Sequence, residues 1–242
     1  MSDPGAAVTR QSAADAIATV AASDPEVREN VLTVEGLSRE FRGRPVVQSF
    51  DLSLGAGDRV ALHGPNGSGK TTILRCIMGT LCPTSGLISV RGHAAGTCEA
   101  RALIGSVLPQ DRAFYLRLTG EANLLFVARL RGYDGRAAVR LVRELEQELQ
   151  LSETLSRRLD RCSTGMMQKL SFARALLGEP PLLLLDEPTR SLDDASLELL
   201  WAALERRPRA AVLIATHRRD DLARCGATIG LEAPSPEEQR GK

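Results

Sequence analysis

Apolar residues along this chain fall into two rhythms that alternate with one another. Short apolar runs of strand character occur at residues 31–35, 46–54, 59–63, 87–91, 182–185 and 211–215. One more short strand is expected within residues 226–232. Between them lie stretches with helical spacing. Residues 71–78 form the first, stopped by Gly79. From Thr119 the helical period returns, with Leu124, Leu125, Val127, Ala128 and Leu130 on one face and Gly132 at its end. Residues 137–151 predict an amphipathic helix that buries Val139, Leu141, Val142, Leu145 and Leu149. Further helices are predicted over 164–177 and 195–204, while 107–118 carries neither rhythm and reads as irregular. Strands alternating with helices predict an α/β fold whose core sheet is mostly parallel. The stretch from about residue 112 to 164 reads as an inserted α-helical subdomain.

Composition narrows the classes. A hydrophobic share of 43% supplies a core for one large domain. The net charge of +1 lacks the concentrated basic excess of a nucleic-acid binder, so no nucleic-acid partner is expected. Five cysteines without a C-x-x-C pair argue against a zinc site or disulfide framework. The longest apolar runs are strand-sized, well short of the roughly 20 residues that span a bilayer. Asp3, Asp15, Asp24, Glu26 and Glu29 are foreign to a secretory leader. Residues 1–29 are therefore expected as a disordered extension, 30–232 as the domain, and 233–242 as a flexible tail.

Two motifs carry chemistry. Gly64-Pro65-Asn66-Gly67-Ser68-Gly69-Lys70-Thr71 fits the phosphate-loop spacing after a strand and before a helix. Its glycines let successive N–H groups curl around phosphate oxygens, and the helix start adds partial positive charge. In such a loop Lys70 reaches the β- and γ-phosphates and the Thr71 hydroxyl binds Mg²⁺, with Thr72 a further nucleotide contact. The loop alone says only that a nucleotide binds. The second motif is the apolar strand 182–185 ending in Asp186-Glu187. Strand C-terminal ends face the ligand crevice of a parallel sheet. Asp186 can hold Mg²⁺ there, and Glu187 is placed to polarise an attacking water.

The remaining motifs resemble the ABC-type ATPases. Cys162-Ser163-Thr164-Gly165-Met166 resembles the family's LSGGQ signature, with Cys162 in place of its Leu and Met166 in place of its Gln. A helix N-cap is an equally sound reading of Ser163, and the two are compatible. Gln110 is similar to the Q-loop glutamine, which meets metal or water. Ser191-Leu192-Asp193 resembles the D-loop, His217 the switch histidine, and Phe41 the aromatic that stacks on adenine. The resemblance covers about residues 31–230.

It implies a P-loop NTPase fold with N-terminal antiparallel β strands. It also implies an ATPase with ATP and Mg²⁺, and a homodimer, or heterodimer with a related ATPase, around two nucleotides. Glu187, His217, Lys70 and Gln110 would be catalytic, and Thr71, Gln110 and Asp186 would bind metal. Ser163 and Gly165 would reach the partner's nucleotide, with Asp193 at the interface. A transmembrane permease is the implied partner, at the cytoplasmic face of a bacterial inner membrane. Residues 111–124 and 186–193 resemble bacterial exporters in particular. A soluble ABC-type ATPase of translation, repair or cluster assembly, or a haem-export-type subunit, remains the alternative.

Overall fold

The computed structural model describes residues 29–108 and 114–232. The expectations for 1–28 and 233–242, and the role given to Gln110, lie outside the described residues.

Strands β1 (Asn30–Phe41) and β2 (Arg44–Gly55) form a long antiparallel pair around a turn at Arg42 and Gly43. Both turn residues have positive φ, at 52° and 74°. Strand β4 (Ser85–Val90) pairs antiparallel with β1, and the short β5 (His93–Ala94) with β4. Strands β1 and β2 outrun the runs at 31–35 and 46–54. Their pairing register shifts between Val34 and Leu37, and twice more before Glu40. Such irregularities break the two-residue alternation that marks a strand in sequence.

The second sheet is parallel, in the order β6-β7-β8-β3-β9. Its strands are β3 (Arg59–His63), β6 (Ile104–Val107), β7 (Leu182–Asp186), β8 (Ala211–Ala215) and β9 (Ala227–Gly230). Strand β6 corrects the reading of 107 as irregular, since Val107 pairs with Leu185. Its Ile-Gly-Ser-Val is too short and too small to register as an apolar run. Gly105 is needed there, because a Cβ would lie 2.0 Å from the Ala175 carbonyl oxygen.

Both faces of this sheet are covered, as expected for parallel strands. Leu182 and Leu184 of β7 join the core that holds Ile73, Leu74 and Ile77 of helix α1 (Lys70–Ile77). Leu183 and Leu185 join the other core, with Leu170, Phe172 and Ala173 of α6 (Thr164–Leu176). The alternation along one strand therefore puts α1 and α6 on opposite faces.

Beyond the short α2 (Cys98–Ala102), the helical layer contains α3 (Gly120–Leu130), α4 (Gly135–Leu149) and α5 (Ser152–Ser156). Thr119 and Asp134 cap α3 and α4 by accepting from the N–H groups of Ala122 and Ala137. The buried stripe of α4 is Ala138, Val142, Leu145 and Leu149. Val139, one position off the stripe, is exposed, and Leu130 at the end of α3 is 70% exposed. Both correct the expected buried sets.

Asn123 is buried instead, its amide bonded to the backbone of Tyr115 and Thr119. Arg131 fastens the layer to the sheet by donating to the carbonyls of Leu177 at 2.6 Å and Ile104 at 3.0 Å. Helices α7 (Asp194–Glu205) and α8 (Arg219–Ala223) complete the chain of elements.

Candidate active site

Three neighbouring strands, β7, β8 and β3, end side by side at one edge of the parallel sheet. Asp186 and Leu62 both stand in register with Ala215 between them. The segments leaving these three ends carry the glycine loop, Asp186-Glu187 and Thr216-His217. Pairing thus gathers residues as far apart in sequence as Gly64 and His217, by register alone.

The glycine loop turns through positive φ at Gly64, Gly67 and Gly69. Two of the three also need the missing Cβ. One on Gly64 would lie 2.2 Å from the Leu231 carbonyl oxygen, and one on Gly69 would lie 2.9 Å from that of Val46. Pro65, Asn66 and Gly67 form the exposed crest, while Ser68, Gly69 and Lys70 are buried and Thr72 is half-buried. The Lys70 ammonium donates back into the loop, to the carbonyls of Gly64 at 2.6 Å and Pro65 at 3.0 Å. Its charge therefore sits in the curl of the loop, on carbonyl dipoles that an anion could displace.

The Thr71 hydroxyl donates to Asp186 Oδ2 at 2.5 Å. Asp186 is only 4% exposed. Burial pushes its carboxyl above the ordinary range, opposed by the Thr71 bond and reinforced by the neighbouring Glu187 charge. A hydroxyl and a carboxylate in contact are hard oxygen donors, the set Mg²⁺ prefers. No cluster of three or more His, Cys, Asp or Glu suited to a metal occurs among the described residues. Mg²⁺ takes one or two protein ligands and completes its shell with water and phosphate oxygens.

Glu187 is held in a left-handed conformation, with φ 49°. A non-glycine residue there costs of order 1–3 kcal/mol, and surrounding bonds must fix it. Its N–H donates to the Ala215 carbonyl at 2.8 Å. The Gln168 amide on α6 donates to the carbonyls of Glu187 at 3.3 Å and Pro188 at 2.9 Å. Glu187 Oε1 meets His217 Nδ1 at 2.8 Å. Its other oxygen, Oε2, is buried with no partner among the described residues. The His217 side chain is 66% exposed, so this corner opens outward.

The structure thus brings Lys70, Thr71, Asp186, Glu187 and His217 to one edge. It does not bring Ser163, Gly165 and Asp193 into the same hydrogen-bond network. Ser163 caps α6 by accepting from the Met166 N–H at 3.2 Å. A Cβ on Gly165 would lie 2.9 Å from the Ser191 carbonyl oxygen, so these two segments lie against each other. Asp193 caps α7 through the Ser196 N–H at 2.8 Å, and its bonds to Ser196 hold its carboxyl below the usual range. Phe41 is 41% exposed at the end of β1, with the Arg39 guanidinium 4.6 Å from its ring centre.

Sequence reasoning missed Gln168, which lies two residues beyond the signature-like segment ending at Met166. It also missed Thr189 and Thr216, whose hydroxyls both donate to Asp221 behind the Glu187–His217 pair. Buried polar side chains in short loops leave no periodic signal.

A glycine loop seated against a strand-end carboxylate, on a parallel sheet with a helical layer, defines a P-loop NTPase. The family model described as ABC transporter matches residues 47–190, and the chain belongs to that family of ATPases. Among its relatives, the uncharacterized ABC transporter ATP-binding protein YxlF of Bacillus subtilis is 38% identical over 188 residues. The match takes in 77% of this chain and 62% of YxlF. The Nod factor export ATP-binding protein I of Rhizobium johnstonii is 34% identical over 207 residues, 84% of this chain and 66% of that protein. The chain therefore spans somewhat under two thirds of the length of these two relatives. A solved ATP binding subunit of an ABC transporter superposes with TM-score 0.77 at 29% identity. That match covers 83% of this chain and 85% of the other.

Proposed function

We propose that this chain hydrolyses Mg²⁺-bound ATP to power a bacterial membrane transporter, with export as its direction. The observation that carries the reading is the Glu187–His217 contact of 2.8 Å, with the second Glu187 oxygen buried and without a partner among the described residues. One oxygen is anchored and the other is left to accept a proton, as a general base requires.

The triphosphate would lie over residues 64–71, where N–H groups and the start of α1 favour anions. Lys70 would exchange the carbonyls of Gly64 and Pro65 for phosphate oxygens. Thr71 and Asp186 would hold Mg²⁺, which when bound neutralises phosphate charge. Glu187 would take a proton from the attacking water at Oε2. His217 would keep that carboxylate aimed, with its exposed ring edge free for the γ-phosphate. Phe41, one ring face taken by Arg39, offers the other to adenine. Gln110 belongs to the same reading as a metal- or water-contacting residue.

Helix α6 lies across the sheet from α1, so Ser163 and Gly165 suit a nucleotide held by a second subunit. We therefore read the working unit as a homodimer, or a heterodimer with a related ATPase, enclosing two ATP, with Asp193 near the interface. No helix among the described residues is long and apolar enough to cross a membrane. A separate permease would supply the spans, with this chain at the cytoplasmic face of the inner membrane. Tyr115, Leu116, Leu118 and Phe126 support that docking, as exposed large apolar side chains at the entry to the helical layer. The Tyr115 and Phe126 rings meet edge to face at 5.2 Å. Export rests on the export role printed for the Nod factor relative. The ATPase domain of this reading is residues 30–232, with its helical subdomain at about 112–164.

The test is phosphate release by the purified chain, with and without Mg²⁺, beside Lys70→Ala. The variant is expected to lose nucleotide binding. Undiminished ATP affinity in Lys70→Ala rejects the loop assignment, and recovery of the chain from membranes without any permease rejects the transport role.

A further inference from the structure

Behind the Glu187–His217 pair lies a carboxylate that the proposed chemistry does not use. Asp221, in the first turn of α8, is fully buried. Its Oδ2 accepts hydrogen bonds from the hydroxyls of Thr189 at 2.7 Å and Thr216 at 2.8 Å. Both threonines are themselves fully buried. Its Oδ1 has no partner among the described residues.

The two threonines belong to different segments of the site. Thr189 stands two residues after Glu187, and Thr216 immediately precedes His217. Arg218 laces the same segments a second time. Its N–H donates to the Thr216 hydroxyl at 3.1 Å, and its guanidinium to the Thr189 carbonyl at 3.2 Å. The backbone approaches there as well, through the Glu187 N–H on the Ala215 carbonyl.

A buried carboxylate is costly to desolvate, and apolar side chains of similar volume would fill this space without that cost. What the carboxylate adds is geometry. One oxygen on two hydroxyls fixes the distance between the loop after β7 and the loop after β8, because charge-assisted bonds are short and directional. We propose that Asp221 is a positioning residue for hydrolysis, holding Thr189 and Thr216 together and thereby holding Glu187 and His217 in register. This rests on the ATPase reading above. Asp221 touches neither substrate nor reacting atoms, and acts through the pair in front of it. The strained φ of Glu187 makes such support necessary, since a left-handed carboxylate released from its neighbours would relax away from its aim.

The experiment compares wild type, Asp221→Ala, Asp221→Asn, Thr216→Val and the double variant Asp221→Ala/Thr216→Val in steady-state hydrolysis, nucleotide binding and thermal unfolding. Misaiming a reacting group by a fraction of an ångström to an ångström costs about 10- to 100-fold. Asp221→Ala should therefore lower kcat by about tenfold or more, with KM and nucleotide affinity within about twofold. Asp221→Asn keeps an acceptor oxygen for both hydroxyls and should recover most of the turnover. Thr216→Val should lower kcat alone in the same way. The double variant should be little worse than Asp221→Ala, because both remove the same tie.

Unchanged kcat in Asp221→Ala, a loss confined to KM, or losses that multiply in the double variant would overturn the proposal. Should Asp221→Ala fail to fold, Thr216→Val decides alone, since it keeps shape and removes one hydroxyl. Wild-type turnover that is indifferent to Asp221 overturns this inference only. Absence of wild-type turnover overturns the ATPase reading and this inference together.

Discussion

Replacing Glu187 with Gln removes one charge and one proton acceptor while keeping the shape of the side chain. The contacts that hold residue 187 should survive. Its N–H bond to Ala215 and the Gln168 bond to its carbonyl involve only backbone atoms at this position. The His217 contact at 2.8 Å can be remade, because an amide offers either an acceptor or a donor to the imidazole. The φ of 49° strains Gln no more than Glu. The ground state even gains slightly, since the Glu187 charge is one of the influences that push the Asp186 carboxyl upward. What disappears is the basicity of the buried Oε2. Loss of a general base costs about 10²- to 10⁴-fold, and the lower limit corresponds to about 2.7 kcal/mol of barrier. The assay pairs phosphate release at saturating ATP with equilibrium nucleotide binding and size-exclusion chromatography. The expected variant melts at or above the wild-type temperature, binds ATP normally, turns over at least about 100-fold more slowly, and elutes as an ATP-bound dimer. Turnover within about threefold of wild type, against the 10²-fold minimum expected of a general base, would falsify the role of Glu187.

Three further substitutions separate backbone geometry from charge. Gly64→Ala places a methyl 2.2 Å from the Leu231 carbonyl oxygen and 2.8 Å from Ser68 Oγ. It should cost about 1–3 kcal/mol of stability by overpacking, on top of the strain of a positive φ that both positions share, and abolish nucleotide binding, whereas Gly67→Ala enters open space and should lose only about 1–2 kcal/mol to its positive φ. Equal melting temperatures for the two variants would contradict that steric account. Asp186→Asn should stabilise the nucleotide-free chain at neutral pH while abolishing Mg²⁺-dependent turnover. The sign follows from the raised carboxyl: the folded state holds its proton more tightly than the unfolded chain, so ionised Asp186 subtracts stability above the folded pKa. The gap between variant and wild type should then close as pH falls through that value towards the unfolded value of 3.8, and a gap that widens towards acid refutes it.

The elements legible in the sequence are those whose signal is local. Strands β3, β7 and β8 are continuous apolar runs because helices cover both their faces. The starts of α3 and α6 are legible because Thr119 and Ser163 are capping residues placed immediately before helical periods. Strand β6 was hidden by its short Ile-Gly-Ser-Val run, in which Gly105 is demanded by the close approach of α6 rather than by strand formation. Within the candidate site, spacing alone pointed to Gly64–Thr71 and to Asp186 and Glu187 at the end of β7. His217 needed the family resemblance, because one histidine after a strand carries no local signature. Asp221, Thr189 and Thr216 were invisible for a different reason. Their meaning lies in the Thr189–Asp221 contact across 32 positions, which only the pairing of β7 beside β8 creates.

That same pairing bears on how two sites in a dimer would communicate. In the proposed assembly, the N-terminus of α6 faces the partner's nucleotide through Ser163 and Gly165. One turn further along the same helix, Gln168 donates to the carbonyls of Glu187 and Pro188 in its own chain. Gly165 also lies against the Ser191 carbonyl, close enough that a Cβ would crowd it, in the segment that runs on from Thr189 to the cap at Asp193. A nucleotide drawn against α6 would thus act, through one rigid helix, on the segment that aims this chain's own base. Coupling of this kind is reciprocal in binding free energy. A substitution at Gln168 should therefore weaken the dependence of one site on the other more than it weakens either site alone. On this view the signature helix serves its own chain as well as its partner, which explains why a side chain outside both nucleotide motifs bonds directly to the carbonyl of the proposed base.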